Sequence, residues 1–279
     1  MKTPIQTAID GALSAGRCAF IPFLTGGFPD PDTCVSMLKA LADNGADVIE
    51  VGVPFSDPLA DGPTIQTASR KALDNGVTPY VVFDVVARAS KQTSCPMVLM
   101  TYFNPVLRMG LQRFAQHAIK AGAAGVIIPD LPADEAGEWM EVSRSAGLDS
   151  IFLVAPTTPP ARMKLIASMS RGFLYYVSTT GVTGSAVAIS DEMVAQINLA
   201  KSLSPVPVAV GFGIAEPDQA RALAPLVDGI IVGSAFIRQI LSNETADQQV
   251  AAVARLAASL SSALGRTNGE NGNGIAKAR

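Results

Sequence analysis

A single unit repeats along this chain, and it limits the fold more than anything else. A short apolar run rich in Val, Ile, Leu and Phe leads into a turn, and the turn leads into a segment with helical spacing. Apolar runs fall at 18–24, around Val48, Ile49 and Val51, and then at 96–101, 125–129, 150–155, 173–178, 207–211 and 229–232. Helix-period segments lie between them: 64–75 and 79–92 as a pair after the second run, then 112–121, 134–146, 160–169, 191–203 and 217–223. A helix over 3–14 precedes the first strand, and one over 245–264 closes the series. After the first strand, Asp30 and Pro31 have the pattern of an N-cap and first helical residue, and Gly45 that of a C-terminal stop.

Alternating strands and helices imply a parallel sheet, and strands apolar on both faces imply burial on both sides. Eight such units in 279 residues match an α/β (β/α)8 TIM barrel, for which about 250 residues is typical. The expected organisation is one barrel domain over 1–265 with an extra N-terminal helix, followed by a polar, Gly-rich disordered tail over 266–279. A doubly wound open sheet is the alternative, weakened because no GxGxxG follows the first strand.

The composition removes several classes of function. A net charge of −3 offers no basic field for nucleic acid. Cys18, Cys34 and Cys95 show neither metal spacing nor a disulfide framework, which fits a reducing cytosol. A mean hydropathy of +0.31 is high, but buried strands and Ala-rich helices account for it better than a membrane span does. The expected location is cytoplasmic.

In a barrel the reactive groups sit at the C-terminal strand ends and in the loops that follow. Glu50 interrupts the second strand, sharing a face with Val48 and Gly52 opposite Ile49 and Val51. No Lys or Arg lies in another strand to pair with it, so a proton-transfer role is favoured over a structural ion pair. Asp57 and Asp61 lie in the loop that follows. Turn chemistry competes with a direct role for Asp57. Capping competes with a role as second catalytic carboxylate for Asp61. That loop, 54–63, and the one at 181–190 are enlarged and are candidate lids.

Glycine turns end the last three strands, at Gly181 to Gly184 (including Thr183), at Gly211, Phe212 and Gly213, and at Gly233 and Ser234. Together they suggest a phosphate held by backbone N–H groups, Ser234 and helix dipoles rather than by a cationic side chain. Phe23, Tyr102, Tyr175 and Phe212 fall near strand ends and suggest a flat apolar slot, with Leu99 or Met100 beside them. His117, the only histidine, sits in a helical segment and reads as structural. No strand ends in a lysine that could form a Schiff base. A magnesium site on Glu50, Asp61 and Asp130 is conceivable, but nothing in the spacing demands it.

Five segments carry a resemblance: Phe20-Ile21-Pro22-Phe23, the run from Glu50 to Pro58, Ala60-Asp61-Gly62-Pro63, Gly181-Val182-Thr183-Gly184 and Gly211-Phe212-Gly213-Ile214. In order, from about Ile5 to Leu264, the chain resembles the tryptophan synthase alpha chain. The resemblance implies a lyase that cleaves indole-3-glycerol phosphate to indole and glyceraldehyde 3-phosphate. Glu50 would move protons. Asp61 would hydrogen-bond the indole N–H. Phe23, Tyr102, Tyr175 and Phe212 would hold the ring, and Thr183, Gly184, Gly213, Gly233 and Ser234 would serve the lid and the phosphate. It implies no cofactor in this chain. The partner would be a pyridoxal-phosphate-dependent beta chain in an alpha2-beta2 complex, met by the loops containing Pro54 to Pro58 and Asn104. The chain has Thr179-Thr180 where some members carry an arginine, and Gly26-Gly27 and Pro129 also depart, with a slight reshaping of the pocket expected. A stand-alone lyase, a related sugar-phosphate barrel and a catalytically silent regulatory barrel stay open as alternatives.

Overall fold

The computed structural model describes residues 2–177, 189–211 and 213–265. Its nine parallel strands are β1 (Ala19–Thr25), β2 (Ile49–Gly52), β3 (Met97–Met100), β4 (Ala123–Ile127), β5 (Asp149–Ile151), β6 (Leu153–Val154), β7 (Leu174–Val177), β8 (Val208–Gly211) and β9 (Gly229–Val232). They form one sheet in the order β5-β4-β3-β2-β1-β9-β8-β7-β6. Its two edges, β5 and β6, are separated in sequence only by Phe152. Phe152 also bonds both ways, its N–H to Ser170 Oγ and its C=O from the Tyr175 N–H, each at 3.0 Å. The nine pieces therefore occupy eight barrel positions, and the eightfold repeat closes into the (β/α)8 barrel expected from the sequence.

The helices are α1 (Pro4–Ser14), α2 (Pro31–Asp43), α3 (Pro63–Asp74), α4 (Pro79–Ala89), α5 (Phe103–Met109), α6 (Leu111–Ala121), α7 (Gly137–Ala146), α8 (Pro160–Met169), α9 (Asp191–Leu203), α10 (Pro217–Leu223), α11 (Ser234–Leu241) and α12 (Ala246–Ala263). Local chemistry fixes many of their ends. Asp30 caps α2 by accepting from the Thr33 N–H at 2.9 Å, with Pro31 in the first turn. Gly45 stands just past the helix at φ +96°, where only glycine is unstrained. The paired helices after β2 are present as α3 and α4. The segment 134–146, read as one helix, is a 3-10 turn over Ala133–Glu135 followed by α7. Two helices, α5 and α11, were not anticipated. No described helix is long and apolar enough to cross a membrane.

Strand alternation divides the core in two. Outward residues such as Phe20, Leu24, Ile49, Val51 and Leu99 pack against the helices. Inward residues Ile21, Val48, Val98, Ile127, Ile151, Ala209 and Ile231 fill the barrel. Ile5, Ile9 and Ala12 of α1 join the inward cluster at the N-terminal ends of the strands and are buried there. The extra helix is thus a plug, and each fully buried aliphatic side chain contributes about 1.5–3 kcal/mol. At the other end of the chain, the Cys18 N–H bonds the Leu264 carbonyl at 3.1 Å, drawing the close of α12 to the start of β1. The tail expected over 266–279 lies outside the described residues.

Candidate active site

Glu50 lies on the inward face of β2, in line with Val48 just before the strand as the alternation required, and Phe23 on β1 and Val98 on β3 are the register partners of Glu50. Glu50 is 1% exposed. Among the described residues its Oε2 has no hydrogen-bond partner and no ion pair involves it. Burial in these apolar surroundings, and then the nearby Asp61, push its carboxyl up to about 8.

Asp61 comes from the loop after β2. The loop folds back over the barrel mouth through backbone bonds from the Leu59 N–H to the Asp57 carbonyl and from the Asp61 N–H to the Pro58 carbonyl, each 3.0 Å. Asp61 does not cap α3: the N-cap is Gly62, with no side-chain cap bond. Burial raises its carboxyl to about 6, and a hydrogen bond from Tyr102 opposes the rise. Asp57 is exposed and lies away from the cavity.

Glu50 and Asp61 line one cavity of about 330 Å3 with Phe23, Ala60, Gly62, Pro63, Thr64, Ile65, Met100, Tyr175, Gly211, Gly213, Ile231, Gly233 and Ser234. The carboxylates, two of the aromatics and the glycine turns after β8 and β9 therefore converge, although they are far apart in sequence. Glycine is required where rings approach the backbone: a Cβ at Gly52 would lie 2.6 Å from Phe23 Cζ, and one at Gly211 would lie 2.7 Å from Tyr175 Oη. Ser234 opens α11, and Arg238 one turn on donates from Nη1 to Ser234 Oγ at 3.2 Å. The serine's own hydrogen is thereby left for another acceptor. The sequence expectation of a phosphate site without a cationic side chain did not include Arg238, one turn into α11.

Several expectations need correction or fall elsewhere. Tyr102 does not line the cavity; its hydroxyl accepts the Ala60 N–H at 3.0 Å, so it holds the loop next to Asp61. Of Leu99 and Met100, only Met100 lines the cavity, because Leu99 faces the helices. Gly26 and Gly27 back onto Val82 and Val77, and neither they nor Pro129 touch the cavity, so no reshaping follows from them. Thr183, Gly184 and Phe212, with the Thr179-Thr180 pair and the candidate lid up to residue 188, lie outside the described residues. The lining residues Ala60, Gly62, Pro63, Thr64, Ile65 and Ile231 were missed. Ala60, Gly62 and Pro63 lie in the loop read as a candidate lid, whereas Thr64, Ile65 and Ile231 carried no such signal.

Asp130 is committed to the Phe103 N–H at the start of α5 (2.8 Å), and His117 stacks on Phe83 with ring centroids 5.5 Å apart. Among the described residues no group of three or more His, Cys, Asp or Glu could hold a metal ion. Beside the site, Pro54, Phe55, Ser56, Asp57, Tyr80, Asn104, Pro105 and Arg108 line a separate groove. Leu59 at the rim is 85% exposed.

The barrel and its cavity have known counterparts. The family described as tryptophan synthase alpha chain matches residues 10–264. A tryptophan synthase alpha chain of Dehalococcoides mccartyi is 45% identical over 244 residues, 88% of this chain and 96% of that one. Another, from a Picosynechococcus species, is 44% identical over 263 residues, covering 94% and 99%. A crystal structure of tryptophan synthase alpha chain from Legionella pneumophila superposes with a TM-score of 0.88 at 34% identity, covering 97% of this chain and all of that one. A structure of Mycobacterium tuberculosis tryptophan synthase gives 0.87 at 38%, covering 95% and 99%. With identity of this order along nearly its whole length, and a barrel that superposes on solved members, the chain belongs to the tryptophan synthase alpha chain family.

Proposed function

We propose that this chain is the alpha subunit of a tryptophan synthase, a carbon–carbon lyase that splits indole-3-glycerol phosphate into indole and glyceraldehyde 3-phosphate. The observation that carries the reading is the meeting of two carboxyl groups of unequal acidity, one buried and one half-buried, with the glycine turns in a single cavity. At neutral pH a group near 6 is mostly ionised and one near 8 mostly protonated. Glu50 is then the acid that delivers a proton to indole C3. Asp61 is the anion that hydrogen-bonds the ring N–H and stabilises the cation formed. The Glu50 carboxylate next removes the proton of the side-chain hydroxyl. The C–C bond breaks as the aldehyde forms, and its electrons neutralise the ring cation to release indole. The substrate phosphate goes to Gly213, Gly233 and Ser234, while Thr183 and Gly184 are assigned to the lid and phosphate, and Phe212 to the indole ring, by family pattern alone.

The groove lined by Pro54, Phe55, Asn104 and Arg108 is the face assigned to a beta chain. The complex would be alpha2-beta2 and cytoplasmic, with pyridoxal phosphate carried by the partner and no cofactor in this chain. The test is release of indole from indole-3-glycerol phosphate by the isolated chain, with and without a beta chain. Slow release accelerated by the partner is expected. No release under either condition would overturn the reading, and fast release unchanged by the partner would favour a stand-alone lyase.

A further inference from the structure

Tyr102 is 4% exposed at the junction of β3 and α5. Its ring stacks on Phe55 with centroids 5.2 Å apart and planes 29° apart. Its oxygen accepts the Ala60 N–H at 3.0 Å. A phenol has one hydrogen, and with the oxygen occupied as an acceptor toward Ala60, that hydrogen is free to turn toward the carboxylate of Asp61, the next residue of the loop, whose acidity Tyr102 increases. The loop after β2 is therefore tied, one residue before Asp61, to a hydroxyl that arrives from the far end of β3. We infer that Tyr102 is a positioning residue of the proposed lyase: by clamping Ala60, it holds the neighbouring Asp61 carboxylate turned into the cavity with the phenol beside it. This rests on the reading of Asp61 as the group that stabilises the cationic ring.

The surroundings make the donor necessary. Asp61 is faced by Glu50 from β2 and Tyr175 from β7, and Asp130 after β4 acts on Tyr102 itself. Glu50 can only add negative charge. Burial opposes ionisation of Asp61, and the Tyr102 hydrogen bond is the influence that favours it. Phe55 supplies packing to the same ring but no hydrogen bond, so the two contributions can be separated by substitution.

The experiment follows the Asp61 carboxyl carbon by NMR titration of the full chain, as wild type, Tyr102→Phe and Phe55→Leu, alongside pH profiles of kcat/KM. Removing only the hydroxyl should raise the Asp61 midpoint by about one pH unit and move the acid limb of the profile by the same amount. Phe55→Leu should leave both in place. An unmoved midpoint in Tyr102→Phe, or an equal movement in Phe55→Leu, overturns the assignment. If Tyr102→Phe does not fold, Asp61→Asn decides instead. The Tyr102 phenol, held high by its neighbouring carboxylate, should then titrate at lower pH, and an unchanged midpoint overturns the inference. The carboxyl titration needs no turnover, so inactivity of the wild type would refute the proposed reaction without deciding the role of Tyr102.

Discussion

Phe23 and Glu50 are register partners on β1 and β2, so an aromatic ring and a buried carboxyl enter the barrel at the same level. In the proposed reaction, such a carboxyl would transfer a proton to a flat ligand lying against that ring. With Asp61 near 6 and Glu50 near 8, the active form has the first ionised and the second protonated. The kcat/KM for cleavage should rise through about pH 6 and fall through about pH 8. Glu50→Gln and Asp61→Asn should each lower kcat by roughly 10²-fold or more, measured as indole release by protein with unchanged circular dichroism.

Glu50 also leaves a mark on stability. Its carboxyl is raised in the folded chain from 4.5 to about 8, so between those values the unfolded chain has lost a proton that the folded chain retains. Stability falls with rising pH across that window, by at most about 1.4 kcal/mol per pH unit from this group. Glu50→Gln removes the loss. Its melting temperature should exceed that of wild type by a margin that grows from pH 5 to pH 8, and a constant margin would contradict a buried, unpaired carboxyl.

The space beside Phe23 is kept by a missing side chain. In Gly52→Ala the new methyl would lie 2.6 Å from Phe23 Cζ, so the ring must shift within the cavity wall. The expected cost is about 1–3 kcal/mol of stability and a raised KM for the indole-bearing substrate. Denaturant unfolding and steady-state kinetics measure the two effects.

At the opposite end of the barrel, Asp47 accepts from both Arg17 guanidinium nitrogens, at 3.2 and 3.0 Å, and from the Phe20 N–H at 2.9 Å. Asp47→Ala should cost about 2 kcal/mol, because a backbone donor and a half-buried cation lose their partner together. Activity should stay near wild type in the same preparation, since none of these groups lines the cavity.

Much of this was legible because each signal was local. The apolar runs, the Asp30-Pro31 start of α2 and the helix over 160–169 lie where pattern and capping chemistry place them. Glu50 betrayed itself as an acid among β-branched neighbours. Elements lacking such signals were lost. In α11 the buried residues Ala235, Phe236 and Ile237 are consecutive, which hides helical period in so short a segment. In α5 the N-cap is Tyr102 and Pro105 sits inside the first turn, so nothing announces a helix. β4 starts two residues earlier than read, because Gly122 at φ +90° ends α6 and the strand follows at once. Tyr102 was assigned to the ligand slot because its position near a strand end was visible, while its hydroxyl's bonds to a loop forty residues earlier in the chain were not.

The plug formed by α1 makes the barrel a blind-ended vessel. With Ile5 and Ile9 packed dry across its floor, no molecule can pass along the axis, and everything must come and go over the same brim. The proposed cleavage would produce two molecules from one, and their departures would then compete for a single opening. Whatever covers that brim decides which product leaves first and in which direction, and the floor that α1 provides gives it that authority.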